Sequence, residues 1–213
     1  MQSELQRQID FRLFVITDRH LCRGSLIDTV AQASRSGVKA FQVREKDMTA
    51  YDLFRCAAEL LVICREYNSW LFVNDRADVA GTVGASGVQL TSHRMPVPAA
   101  RRCLQPEQLV GVSTHSLEEA SKAEAEGADF VLYGPIFETA SKAGYGPPRG
   151  LPGLRIVGRS LTVPVFAVGG ITPQRAALCL DEGARGVAVI SAVMTSRNVP
   201  QTVNQFKNAM GKL

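Results

Sequence analysis

One short pattern recurs four times and limits what this chain can fold into. GVKAFQV begins at Gly37, GASGVQL at Gly84, GADFVLY at Gly127 and GARGVAV at Gly183. The glycines lie 47, 43 and 56 residues apart. Each glycine suits the position just past a helix. Each is followed by an apolar run of the kind found in strands covered on both faces. The spacing matches two βα units, so four repeats imply eight. A single βαβ repeat would suit an open doubly wound sheet equally well. Four of them within 213 residues predict an α/β protein of the closed (β/α)8 type, a TIM barrel.

Strands are expected over residues 12–17, 40–43, 70–73, 87–90, 109–112, 130–133, 164–168 and 186–190. Between them, helical spacing covers 25–36, 49–67, 98–104, 116–126 and 151–159, and 199–210 closes the chain. Ser116 and Glu119 have capping-box spacing. Thr172 suits an N-cap, Pro173 the first helical position and Gly183 the stop. Nothing resembling a linker interrupts the chain. A single domain over 1–213 is therefore expected, with a short N-terminal helix over 1–10. The longest unstructured stretch is the Gly- and Pro-rich segment 134–150, a candidate lid.

Composition narrows the function classes. A net charge of +4, spread without a basic run, gives no footprint for nucleic acid but allows a positive pocket for an anionic metabolite. No apolar run is long enough to cross a bilayer, and MQSELQRQID does not resemble a signal peptide. Five cysteines without CxxC spacing point to reduced thiols in a cytoplasmic protein, without a zinc site or disulfide framework.

In such a barrel the chemistry lies at the C-terminal ends of the strands. Those ends carry Arg44, Glu45 and Lys46; Asn74, Asp75 and Arg76; Thr91, Ser92 and His93; Ser113, Thr114 and His115; and Thr139, Ser141 and Lys142. Gly169 and Gly170 follow the seventh strand and Ser191 the eighth, where such barrels often build a phosphate site. Taken alone, the diglycine also suits a tight turn, the charged triplet a solvated turn, Asn74 and Asp75 a helix cap, and His115 a surface position. Their convergence on one rim favours an anionic, phosphorylated small molecule.

Six strings extend this reading: QVREKD at 42–47, VNDRADVA at 73–80, GVSTHSLEEA at 111–120, YGPIFETASK at 133–142, VGGIT at 168–172 and GVAVISAV at 186–193. In order and spacing they resemble the thiamine phosphate synthase/TenI superfamily. The resemblance implies a barrel that binds a thiazole phosphate, and a homodimer. It also implies two possible activities. A synthase would join a pyrimidine methyl diphosphate to the thiazole phosphate. Arg44, Lys46 and Lys142 would then hold the diphosphate, with Gln42, Asn74, Ser113, Thr139 and Ser141 completing the pocket. Asp75 would be one of two aspartates for Mg²⁺, but Arg94 occupies the position of the second. A TenI-type thiazole tautomerase would need no cofactor. It would use Gly169, Gly170, Ile190 and Ser191 for the phosphate, Arg44 and Lys142 near the carboxylate, and His115 for proton transfer. Arg94 and Glu138 lead to the tautomerase as the expectation. The alternatives are the Mg²⁺-dependent synthase and a non-catalytic module that binds thiazole phosphate or thiamine phosphate.

Overall fold

A computed structural model describes residues 9–91, 95–139 and 147–211. Helix starts are fixed by side-chain caps. Ser25, Thr49, Ser116, Thr172 and Asn198 each accept a hydrogen bond from the backbone N–H three residues on. Such a cap contributes about 1 kcal/mol. Pro173 takes the first position of its helix as expected. The Ser116 box is half made: Ser116 Oγ accepts from Glu119 N, but the Glu119 carboxylate takes the N–H of His115 instead of that of Ser116.

The strands are β1 (Leu13–Ile16), β2 (Ala40–Val43), β3 (Trp70–Asn74), β4 (Gly87–Thr91), β5 (Leu109–Thr114), β6 (Phe130–Tyr133), β7 (Val165–Val168) and β8 (Gly186–Val189). The helices are α1 (Leu26–Arg35), α2 (Ala50–Glu66), α3 (Ala77–Val83), α4 (Val97–Arg101), α5 (Leu117–Ala125), α6 (Gly150–Ser160), α7 (Pro173–Asp181), α8 (Ser191–Met194) and α9 (Val199–Met210). All neighbouring strands are parallel, and β8 pairs back to β1. The chain is the (β/α)8 barrel that its repeat predicts. β5 runs two residues past its expected end, because Ser113 pairs with Thr91 and Thr114 with Tyr133. Residues 1–8 of the expected N-terminal helix lie outside the described residues, and Ile9 and Asp10 are not helical. Among the described residues no helix is long and apolar enough to cross a membrane.

Inside the barrel, Phe11, Phe14, Phe72, Phe130 and Phe166 form a fully buried plug. Phe11 stacks on Phe166 at 5.0 Å, and Phe72 meets Phe14 and Phe130 edge-on, both at 5.3 Å between centroids. Room for these rings comes from a missing side chain. A Cβ at Gly111 would lie 2.3 Å from the Phe130 ring. The plug fills the barrel axis, and the side chains at the strand ends lie above it. A second apolar shell packs the outer strand faces against the helices.

Candidate active site at the barrel mouth

The layer above the aromatic plug is polar on one side and apolar on the other. Gln42 and Gln89 occupy the same place in the repeat, five residues after Gly37 and Gly84, and the equivalent places on β6 and β8 hold Leu132 and Ala188. Gln42 is 2 % exposed and Gln89 1 %. Gln42 Nε2 donates to Asn74 Oδ1 at 2.7 Å, and Gln89 Nε2 to Ser113 Oγ at 3.1 Å. Neither Oε1 has a partner. Buried polar atoms without partners are uncommon in proteins, and two of them face the interior in one sector. The other sector is lined by Ile16, Leu132, Val168 and Ile190.

Asp75 lies at the rim of the polar sector. Its φ is +55°, a left-handed conformation uncommon outside glycine. Its Oδ1 accepts from Thr91 N at 2.7 Å and Thr91 Oγ1 at 3.0 Å, and its Oδ2 from Asn74 Nδ2 at 3.0 Å. Neither Asn74 nor Asp75 caps the following helix; that position is Arg76, without a side-chain cap. After β2, the charged triplet is not fully solvated. Arg44 is half-buried, Lys46 is exposed, and Glu45 between them is buried.

The apolar sector ends in Gly169 and Gly170, at φ +100° and +65°. A Cβ on Gly169 would lie 2.6 Å from Pro135 Cβ, and one on Gly170 2.6 Å from the Glu138 carbonyl oxygen. The segment after β6 therefore lies directly on the diglycine, held by Ile136 N to Val168 O at 2.9 Å and Phe137 N to Gly169 O at 3.1 Å. Arg175 clasps the same place, donating to Gly170 O at 2.7 Å with its guanidinium over the Phe137 ring. Ile190 is the half-buried cap residue of α8, and Ser191 is exposed at its start.

His115 is half-buried at the end of β5. Its Nδ1 lies 2.5 Å from Gly134 O. A carbonyl can only accept, so Nδ1 carries the proton. The ring thereby ties β5 to the segment after β6.

Two grooves lie outside the barrel. One, of about 720 Å³, is lined by Arg19, His20, Ile27, Asp47 and Cys56; the other, of about 430 Å³, by Thr91, Val97, Val112, Glu119 and Lys122. Neither reaches Gln42, Asn74 or Gly169, and in the first Arg19 and His20 are already paired with Asp47, so the mouth is the stronger site.

Comparison with known proteins agrees with this geometry. The family model for thiamine monophosphate synthase matches residues 13–193. The chain belongs to that family. A thiamine-phosphate synthase of Chlorobium luteolum is 41% identical over 198 residues, covering 93% of this chain and 92% of that one. A thiamine-phosphate synthase of Chloroflexus aurantiacus is 40% identical over 200 residues, with 93% and 92% covered. The solved thiamine phosphate pyrophosphorylase from Pyrococcus furiosus superposes with a TM-score of 0.86 at 37% identity, covering 94% and 95%.

These relatives overturn the expectation of a TenI-type tautomerase, and with it the isomerase class. That expectation rested on Arg94 and Glu138. Identity at this level over nine-tenths of the chain outweighs them. Gln42, Arg44, Lys46, Asn74, Asp75, Ser113, His115, Thr139, Gly169, Gly170, Ile190 and Ser191 all fall at or beside the strand ends. Ser141, Lys142 and Arg94 lie outside the described residues. Gln89 and Thr17 were not among the expected site residues, whereas Thr91 was placed at its strand end. For Gln89 the signal was present: a glutamine at the same repeat position as Gln42.

Proposed function

We propose that this chain is a thiamine-phosphate synthase, which joins a pyrimidine methyl diphosphate to a thiazole phosphate with release of pyrophosphate. The observation that carries the reading is Asp75, a carboxylate in a strained conformation, held by three hydrogen bonds one strand away from the cations that follow β2. Backbone strain of this kind persists where function requires it. The named relatives support the same reading.

The roles follow from the two sectors. Arg44 and Lys46, with Lys142, bind the diphosphate, Arg44 through the paired donors that suit phosphate oxygens. Gln42, Asn74 and Ser113 line the polar sector and orient the pyrimidine half. Thr139, Ser141, Gly169, Gly170, Ile190 and Ser191 receive the thiazole phosphate, through hydroxyls and inward backbone N–H groups. The bond to the diphosphate breaks with its electron pair on the leaving oxygen, so every cation aimed at that oxygen lowers the barrier. No proton transfer by His115 is needed. Through Gly134 it instead orients the segment that carries Thr139.

The family implies Mg²⁺. Among the described residues no three His, Cys, Asp or Glu side chains gather for a metal. Asp75 Oδ1 is saturated by two donors, while Oδ2 accepts one and keeps a lone-pair direction. That fits a metal held by one carboxylate with substrate phosphates supplying further ligands. When bound, Mg²⁺ neutralises charge on the leaving diphosphate.

The test is pyrophosphate release with both substrates present and with each alone. Release only with both supports the synthase. Tight binding of thiazole phosphate with no release would support a non-catalytic module instead.

A further inference from the structure

Glu45 stands between two residues given above to the diphosphate, yet its side chain is 1% exposed. Alternation along the strand end sends Arg44 to the side of Gln42 and Glu45 to the opposite one. There its Oε1 accepts from Thr17 Oγ1 at 2.6 Å and from Arg19 N at 3.2 Å. Its Oε2 accepts from Arg19 N and from the Arg19 guanidinium, both at 3.1 Å. Thr17, itself fully buried, closes the circuit: its Oγ1 accepts from Arg44 N at 3.0 Å. Arg19 continues to both Asp47 oxygens, at 2.6 and 2.5 Å. Asp47 is held well below the usual carboxylate range, first by Arg19 and then by His20.

Residues 44, 45 and 47 are thus all anchored to residues 17 and 19 of the neighbouring strand end, by backbone at one position and side chain at the others. Lys46 sits between anchored residues. A buried carboxylate is costly unless fully hydrogen-bonded, and a solvated one would leave this loop without a fixed form. Arg19 also takes up a negative charge that would otherwise compete with an anionic ligand for Arg44.

We propose that Glu45, with Thr17 and Arg19, is a positioning element that sets the spacing and direction of Arg44 and Lys46 for a diphosphate. The proposal rests on the synthase reading. It gives Glu45 no contact with substrate.

The experiment measures Kd for inorganic pyrophosphate and KM for each substrate in Glu45→Gln and Thr17→Val, with Arg19→Met as the variant that keeps the buried pair of residues intact. The control is Arg101→Met, which breaks the ion pair of Arg101 with Asp129, 2.6 Å apart at the opposite end of the barrel. The rim variants are expected to weaken pyrophosphate binding by about ten- to a hundredfold, as losses behind a binding group commonly do. KM for the diphosphate should rise in step, while KM for thiazole phosphate stays put. Arg101→Met should lower the melting temperature without changing pyrophosphate affinity. Wild-type affinity in the folded rim variants, or an equal rise in both KM values, overturns the proposal alone. A wild-type protein that neither binds pyrophosphate nor turns over removes the synthase reading and this proposal with it.

Discussion

Replacing Asp75 with asparagine separates its charge from its backbone conformation. Asparagine tolerates the left-handed conformation at least as well as aspartate, so φ +55° is retained. Oδ1 can still accept from Thr91 N and Oγ1, but these bonds lose their charge assistance. The other terminus becomes an NH₂ facing the donor Asn74 Nδ2, so that bond is lost. A hydrogen bond to a charged group contributes about 1.5–3 kcal/mol against about 1 for a neutral one. With Asp75 half-exposed, the sum comes to about 2 kcal/mol. In a chain of this size that lowers Tm by about 4–8 °C. Turnover should fall more steeply, by about a hundredfold or more, the usual cost of removing one preorganised electrostatic group. Calorimetry and pyrophosphate release, run on the same preparation, give both numbers. A normal Tm shift with turnover intact would reduce Asp75 to a structural clamp and refute the role given to it.

Gly170→Ala puts a Cβ 2.6 Å from the Glu138 carbonyl oxygen at a φ of +65°. The segment after β6 must then move off the diglycine, so KM for thiazole phosphate should rise at least about tenfold, with a smaller change for the diphosphate. Equal KM values for wild type and variant would show that the diglycine is only a turn. The thiols give an independent check of the core. Burial pushes Cys64 and Cys179 up to about 12, whereas Cys103 is exposed. Iodoacetamide at pH 8 followed by mass spectrometry should modify Cys103 first, and Cys64 and Cys179 only after unfolding. Comparable rates at all three would contradict the packing described.

The barrel was legible because its signal is repeated and local. A glycine past each helix and an apolar run after it need no knowledge of distant contacts, and Gly37, Gly84, Gly127 and Gly183 all carry positive φ as that reading requires. The rim was legible in position for the same reason: strand ends follow from strands. What individual side chains do there was not. Glu45 and Lys46 look alike in sequence, as two charges in one turn, but Thr17 and Arg19 bury the first and leave the second exposed. That distinction lives in contacts 26–28 residues apart. The aromatic plug was hidden likewise, since an apolar run does not say which of its residues face inward. The choice of activity went wrong because a few local departures, Arg94 and Glu138, were weighed above strings that agree along the whole chain.

The central claim is tested most directly by synthase turnover of the purified protein on pyrimidine diphosphate and thiazole phosphate, with Mg²⁺ and with EDTA, beside an Arg94→Asp variant. The account predicts pyrophosphate release by the native protein that depends on Mg²⁺ and is lost in EDTA, with tighter metal dependence once a second carboxylate is present. No release from the native protein under either condition, with wild-type folding and bound thiazole phosphate, would contradict it.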